Sequence, residues 1–419
     1  MLKKLLRIIA AFVLVVCVAG VGLVAYAARA VASRQNVPFP AIAADRTPAG
    51  VARGAVIFHA TCEACHRGAE SERAAGAPIH DAPDWFGSLH SGNITADRAA
   101  GIGGISDAAA ARMIRYGVNR DGRWGPMPTY SLSDADLAAV IGFLRSDDPL
   151  FRADPRRAPK SELSFAGKTI LFLTGATQPP NRPPRGIVAP PREPNAAYGR
   201  YLAESVYQCG DCHTPGFDSD KVHGPDAFAG GAEMKNAAGE LILSPNLTKD
   251  ERAGIGRWTR EQFARAIRDG IRPDGRALGY PMPHFRGADE LEVDALLQYL
   301  RSFPAKATAI PGRVPAIGAG STSTSATAPT TASSPRPEQR FAALGCAGCH
   351  GKGSRYEAKL QQAQQKPAEQ LARWIRNPEA FLPGTTMPTF APVLDEVGAL
   401  ELAEWIRAGG PNRASFGGG

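Results

Sequence analysis

Three pentapeptides hold the residues best suited to chemistry: Cys62-Glu63-Ala64-Cys65-His66, Cys209-Gly210-Asp211-Cys212-His213 and Cys346-Ala347-Gly348-Cys349-His350. Two thiols three residues apart, followed at once by an imidazole, is the spacing in which both sulfurs add across the vinyl groups of one haem. The His then ligates iron from one face. Six of the seven cysteines are used this way. The seventh, Cys17, follows Leu14-Val15-Val16, a poor lipoprotein box because Val16 is not small, and reads as a buried apolar thiol. A zinc site would need further Cys or His ligands, and a thioredoxin-like pair needs no following His. The expectation is three covalently attached c-type haems ligated by His66, His213 and His350.

The ligand on the opposite face separates carrier from catalyst, since a thioether closes the iron whereas an open site binds small molecules. Met127-Pro128, Met282-Pro283 and Met387-Pro388 lie 61, 69 and 37 residues beyond the preceding motif His. Proline fixes an extended loop able to present the sulfur. Met387 is alone in its segment, where no His follows His350. Met113 competes with Met127 but aligns with Ala266 on the apolar face of a short helix. Met234 lies in a polar, Gly-rich loop. Of the remaining histidines, His59 precedes the first motif, His284 follows Met282-Pro283, and His80, His90 and His223 lie in loops. These read as surface or propionate-contacting residues, with His90 and His223 as alternatives to Met in a bis-His site.

These side chains need short helices to hold them. Apolar stripes predict closing helices through Leu137, Val140, Ile141 and Leu144, through Leu291, Ala295, Leu296 and Tyr299, and through Leu402, Trp405 and Ile406. Thr259 to Gln262 reads as a capping box and Gly270 as a stop, and Ser106 to Gly117 repeats the pattern. Helical segments also precede each cysteine pair. Asn93-Ile94-Thr95, Gly101-Ile102-Gly103 and Asp121-Gly122-Arg123 recur as Asn246-Leu247-Thr248, Gly254-Ile255-Gly256 and Asp274-Gly275-Arg276, all offset by 153 residues. Such colinearity marks a repeat. Long β-type alternation is absent, so the fold class is all-α, with tandem units at 48–147, 195–303 and 337–410. Between them lie a Pro/Arg-rich linker, 148–194, and an Ala/Ser/Thr/Pro linker, 304–336, which makes the third unit mobile relative to the others. In the first linker, the apolar run Thr169 to Leu173 is open to three readings: a strand, an interfacial patch, or a piece packed on a haem edge.

Residues 1–30 form an N-terminal membrane anchor or signal segment. The uncharged run Ile8 to Ala28 has 21 residues, which at 1.5 Å each spans roughly 30 Å. That exceeds the usual signal-peptide core of about 7–15 residues, favouring an uncleaved transmembrane helix. Lys3, Lys4 and Arg7 place its start in the cytoplasm and the rest in the periplasm. The formal charge of +8 is spread over scattered arginines without a basic block, which excludes nucleic acid and fits an acidic docking partner.

Through Asn-x-Thr, Gly-Ile-Gly-x-Trp (Gly254 to Trp258, the Trp missing from unit one), Asp-Gly-Arg and Met-Pro, the first two units resemble the triheme cytochrome c subunits of membrane-bound alcohol, gluconate and sugar dehydrogenases. The resemblance implies ligation by His66/Met127, His213/Met282 and His350/Met387, with Asn93, Thr95, Asn246 and Thr248 near haem edges. It implies an electron carrier in the inner membrane, partnered by a dehydrogenase, an oxidase or a soluble cytochrome, and not an enzyme. Those subunits are usually anchored at the C-terminus, whereas here the apolar span is at the front. The alternative is a haem peroxidase or reductase, which requires one open distal site.

Overall fold

The structure is a computed structural model that describes residues 2–67, 71–79, 84–216, 223–308 and 335–412. His80 and most of the 304–336 linker lie outside the described residues. The chain divides into two compact units, 1–55 with 65–188 and 56–64 with 189–419, the division falling within the first motif.

The first unit begins with α1 (Leu2–Val31), of which Lys3–Val31 is long and apolar enough to cross a membrane and is unburied over its most apolar part. Next come α2 (Pro48–Thr61), whose end belongs to the second unit, and α3 (Glu63–His66). The expected short helix is α4 (Asp107–Tyr116), capped by the Ser106 side chain and closed by Gly117 at φ +68°. The closing helix is α5 (Asp134–Leu144), capped by Ser133. Leu137 and Ile141 of α5 are fully buried. Helices α2 and α5 cross at Gly54, where a Cβ would stand 2.0 Å from the Ala139 carbonyl oxygen, so only glycine permits the approach.

Two expectations need correcting in this unit. Short antiparallel strands β1 (Pro78–Ile79), β2 (Gly87–His90) and β3 (Glu162–Leu163) form a sheet in that order. The fold is therefore helix-rich rather than strictly all-α; runs of two to four residues are too short to show alternation. Residues 148–188, read as linker, are a strap bound to the unit. Leu150 and Phe151 are buried, and their carbonyls accept from Ala74 N and Ala96 N. Farther on, fully buried Arg115 donates to Pro184 O (2.8 Å), Leu132 O (3.0 Å) and Asp134 Oδ1 (2.9 Å). A Pro-rich strand lacks N–H donors but keeps its carbonyls, and arginine serves them. Within the strap the apolar run is a helix, α6 (Phe165–Leu173), capped by Ser164.

The second unit opens with α7 (Ala196–Tyr201), which runs through a wider turn, Leu202–Val206, towards α8 (Cys209–His213). A hairpin follows, β4 (Glu233–Lys235) against β5 (Leu241–Leu243), pairing Met234 with Ile242. Helix α9 (Arg260–Asp269) has the full capping box of Thr259 and Gln262 and ends at Gly270, φ +71°. Helix α10 (Glu290–Ser302) crosses α7 at Gly199, where a Cβ would meet the Ala295 carbonyl oxygen at 1.9 Å. Thus both repeats use one helix crossing made possible by glycine.

The third segment supplies α11 (Pro337–Ala343), α12 (Ala347–His350), α13 (Glu357–Ala363), α14 (Ala368–Arg376) and α15 (Glu396–Arg407). Leu371, Ile375, Leu402 and Ile406 build its core, and Phe341 meets the Trp405 ring at 5.3 Å. Contrary to the expected mobility, this segment is packed on the second repeat. Ile271 is wholly buried in its core, Ala277 N donates to Leu344 O (3.0 Å), Thr389 N to Asp269 O (2.9 Å) and Arg355 N to Ala237 O (2.8 Å). Ile271 leaves the Gly270 stop, so the apolar residue reaching the neighbour is placed by the helix terminus rather than by any periodicity.

Candidate haem-binding sites

Each motif His is held in the same way. Nδ1 of His66 bonds Gly92 O at 2.9 Å, Nδ1 of His213 bonds Pro245 O at 2.8 Å, and Nδ1 of His350 bonds Tyr356 O at 3.0 Å. A carbonyl accepts only, so each Nδ1 carries the proton and each Nε2 keeps a lone pair for a metal. Burial pulls the pKa of His66 and His350 below the ordinary value, against the smaller opposing effect of the carbonyl bond. Neutral imidazole is the ligating form. The residues therefore fit an iron ligated through Nε2.

The Asn-x-Thr repeats explain how the carbonyls are fixed. Asn93 follows Gly92, and Asn246 follows Pro245. In each repeat the Asn Oδ1 accepts from the Thr N–H at 2.8 Å and the Thr hydroxyl at 2.7 Å. Asn93 Nδ2 donates to Asp154 O (2.9 Å) and Asn246 Nδ2 to Lys306 O (2.7 Å), fastening each loop to the chain beyond its closing helix. Next, Ile102 N and Ile255 N close onto Thr95 O and Thr248 O, both at 2.9 Å. The preceding glycines have no room for a side chain: a Cβ would lie 2.3 Å from Thr95 O or 2.2 Å from Thr248 O. Thus Asn93, Thr95, Asn246 and Thr248 are buried staples whose visible role is to position the carbonyl that orients the His.

Burial pushes the thiols of Cys209 and Cys346 up to about 12 and raises Cys349 as well. Thioredoxin-like chemistry requires the opposite shift. Cys62, Cys65 and Cys212 stand with them in the three motif turns, none of the described cysteines being in a disulfide.

The Met-Pro segments occupy matching places. After Met127, Tyr130 N returns to Ile114 O (2.9 Å); after Met282, Phe285 N returns to Ile267 O (2.7 Å); after Met387, Ala391 N returns to Arg376 O (3.0 Å). All three methionines are partly exposed, each beside the end of a short helix. Met113 is also only partly buried, its methyl lying against Gly125 beside the Met127 loop, not in the core. Met234 is held in the β4–β5 hairpin.

The other histidines divide by environment. His223 is mostly exposed and 3.9 Å from Glu204, while His59 Nδ1 is 2.6 Å from Glu63 Oε2. His90 lies in β2, with its Nδ1 buried and lacking a hydrogen bond. His284, read as a surface or propionate-contacting residue, is buried, and its pKa falls to about 3 through burial and the neighbouring Arg286. Arg286 itself escaped the sequence reading. It donates to Thr385 O (2.5 Å) and Met387 O (2.6 Å), and pairs with Glu379 at 3.1 Å. Comparing Met127-Pro128-Thr129-Tyr130-Ser131 with Met282-Pro283-His284-Phe285-Arg286 exposes it: only the second repeat has a cation there.

Comparison with known proteins finds cytochrome c relatives. Residues 51–147 match the cytochrome c family, and residues 332–406 match a family described as cytochrome c oxidase, cbb3-type, subunit III. The chain is 28% identical to the cytochrome c subunit of a quinone-type alcohol dehydrogenase from Gluconacetobacter polyoxogenes, over 62% of this chain and 57% of that protein. It is 28% identical to the gluconate 2-dehydrogenase cytochrome c subunit of Pantoea cypripedii, over 65% and 64%. With the fructose dehydrogenase cytochrome subunit of Gluconobacter japonicus it shares 26% over 59% and 51%. The chain thus spans between about half and two thirds of the length of these relatives. With cytochrome c domains, and hence covalently bound c-type haem, the chain is a homologue of the cytochrome c subunits of membrane-bound alcohol, gluconate and fructose dehydrogenases.

Proposed function

We propose that this chain is a membrane-tethered periplasmic cytochrome with three c-type haems. It passes electrons from a dehydrogenase or quinol donor to a downstream acceptor of the respiratory chain and does not itself transform a substrate. The observation that carries the reading is the threefold repetition of one arrangement: a Cys-x-x-Cys-His turn whose His Nδ1 is committed to a carbonyl. The haems supply one-electron redox chemistry; the chain orients His66, His213 and His350 and offers Met127, Met282 and Met387 from the Met-Pro loops. Thioether ligation raises reduction potential and leaves no open coordination position, which suits a carrier.

The tether reading gains support from the packing of α1. A signal segment is cut away, yet here Ala27 and Val31 are buried and the Tyr26 ring meets Phe172 edge-on at 5.3 Å. The test is the mass and the optical and magnetic-circular-dichroism spectra of the purified protein in both redox states. Three haems and three Met-to-iron charge-transfer signals are expected, with one signal lost in each of Met127→Ala, Met282→Ala and Met387→Ala. A high-spin ferric haem in the unmodified protein would instead establish an open site and the peroxidase or reductase reading.

A further inference from the structure

Helix α6 has two apolar sides, and only one is covered by protein. Its sequence, Phe165-Ala166-Gly167-Lys168-Thr169-Ile170-Leu171-Phe172-Leu173, contains one charge and no carboxylate. Gly167 and Leu171 are buried, and Phe172 meets Tyr26 of α1. On the other side Phe165 is 69% exposed, Ile170 42% and Leu173 62%. At 100° per residue these three, with exposed Ala166, fall within an arc of about 140°. A helix of a water-soluble domain covers that arc with polar residues; here its one polar side chain is Thr169, whose hydroxyl donates back to Phe165 O at 2.8 Å, and the rest extends the apolar surface of α1.

The neighbouring loop adds to the same patch. Trp85 is 53% exposed, and its carbonyl accepts from the Ser164 hydroxyl at 2.7 Å, so the Trp85 loop is fastened to the start of α6. A Gly167 Cβ would stand 2.5 Å from Phe86 O, which keeps loop and helix in close contact. The Lys168 ammonium lies 5.5 Å from the Phe165 ring centre, the arrangement of a cation at the margin of an apolar face.

The depth of this patch follows from its contact with α1. Tyr26 lies two residues from the end of the uncharged run Ile8 to Ala28, roughly 3 Å of helix rise, and so at the level where a span leaves the hydrocarbon. Aromatic side chains collect at that level. We infer that α6 and Trp85 lie in the periplasmic interface of the phospholipid bilayer, with Phe165, Ile170 and Leu173 among the upper acyl chains. The helix would fix the orientation of the first haem unit on the membrane, beyond the tethering by α1. This rests on the reading of α1 as a membrane span, because continuity with that span is what selects lipid over a protein partner.

The test uses the full-length holoprotein in phosphatidylcholine/phosphatidylglycerol vesicles containing a phosphatidylcholine with a carbene-generating diazirine on an upper acyl carbon. After photolysis, peptide mass mapping is expected to find label in α1, in residues 165–173 and on Trp85. In the double variant Phe165→Asp, Leu173→Asp, label in 165–173 should fall at least about tenfold while α1 labelling and the haem spectrum persist. Label in α1 but none in α6 of the unmodified protein would overturn the inference and leave the face to a protein partner. Absence of label from α1 as well would overturn the tether reading.

Discussion

Arg286→Met should loosen the Met387 loop. The guanidinium is largely buried, donates to Thr385 O and Met387 O, and pairs with Glu379; its NH2 group lies 3.1 Å from His284 Nδ1. Burial lowers its pKa, and Glu379, Asp269 and Glu63 oppose that shift. Methionine keeps much of the side-chain volume but leaves two carbonyls and a carboxylate without their cation. Breaking a buried pair costs about 3–5 kcal/mol, and the two carbonyl bonds are part of that figure rather than additional to it. If the full cost falls on local opening, the open fraction of the loop rises roughly 10² to 4 × 10³-fold, at about 1.4 kcal/mol per decade. An exogenous ligand that needs the open loop gains apparent affinity by the same factor. Imidazole titration of the ferric holoprotein, followed optically, should therefore show one of three sites binding far more tightly in Arg286→Met, with an intermediate effect in Arg286→Lys. If Met387→Ala opens a site and Arg286→Met changes no site by more than about threefold, the latch is refuted. If Met387→Ala opens nothing, the ligand assignment itself fails.

Arg115→Met should destabilise the first unit by about 3–5 kcal/mol, because Asp134 and the carbonyls of Leu132 and Pro184 lose one buried donor; denaturant titration and protease cleavage within 148–188 will report it. Gly199→Ala places a Cβ against the Ala295 carbonyl, and overpacking at that crossing should cost about 1–3 kcal/mol, seen as a lower Tm with unchanged haem content. Asp154 is held at about 2, below its ordinary 3.8, chiefly by its hydrogen bond to Arg156. A depressed carboxylate stabilises the fold above the unfolded pKa and loses that contribution as pH falls from about 4 to 2. The stability difference between the unmodified protein and Asp154→Asn should shrink over that window; a difference that stays constant with pH would disprove the linkage.

The elements that carry periodicity or punctuation were legible in the sequence. The Thr259–Gln262 capping box, the Ser106 cap and the Gly117 and Gly270 stops stand where their chemistry requires, because each depends on residues within five positions. The motif turns were legible for the same reason. What escaped depends on distant partners. The strap 148–188 looked like a linker because its hold on the unit runs through backbone carbonyls, which no side-chain pattern records. The Asn-x-Thr repeats announced themselves as landmarks, but their role appears only when Gly92 and Pro245 are seen accepting from His66 and His213. Arg286 reaches 101 residues along the chain to the Met387 carbonyl, a separation to which helical or strand periods are blind.

The misreading of the third segment shows why composition alone decides mobility poorly. An Ala/Ser/Thr/Pro linker cannot build a core, but whether it acts as a tether depends on what its ends do. Here its first residues are pinned, Lys306 N donating to Thr248 Oγ1 at 3.3 Å, and the chain after it is pinned, Leu344 O accepting from Ala277 N. Closing a loop between fixed ends costs only about 0.6 kcal/mol more for each doubling of its length, so a long linker is compatible with a rigid junction. The contacts cluster where coupling matters. The Arg355 guanidinium lies 4.8 Å from the Tyr280 ring centre, the Tyr280 backbone counters the burial that raises the Cys349 thiol, and Arg286 holds the Met387 carbonyl. One stretch, Ala277 to Arg286, thus carries Met282 and touches both the cysteine turn and the Met loop of the third segment. Shortening the 304–336 linker by a third should accordingly leave electron exchange between the second and third haems unchanged in rate, as followed by flash-induced reduction. A tethered carrier that had to search for its partner would respond to the change in effective concentration.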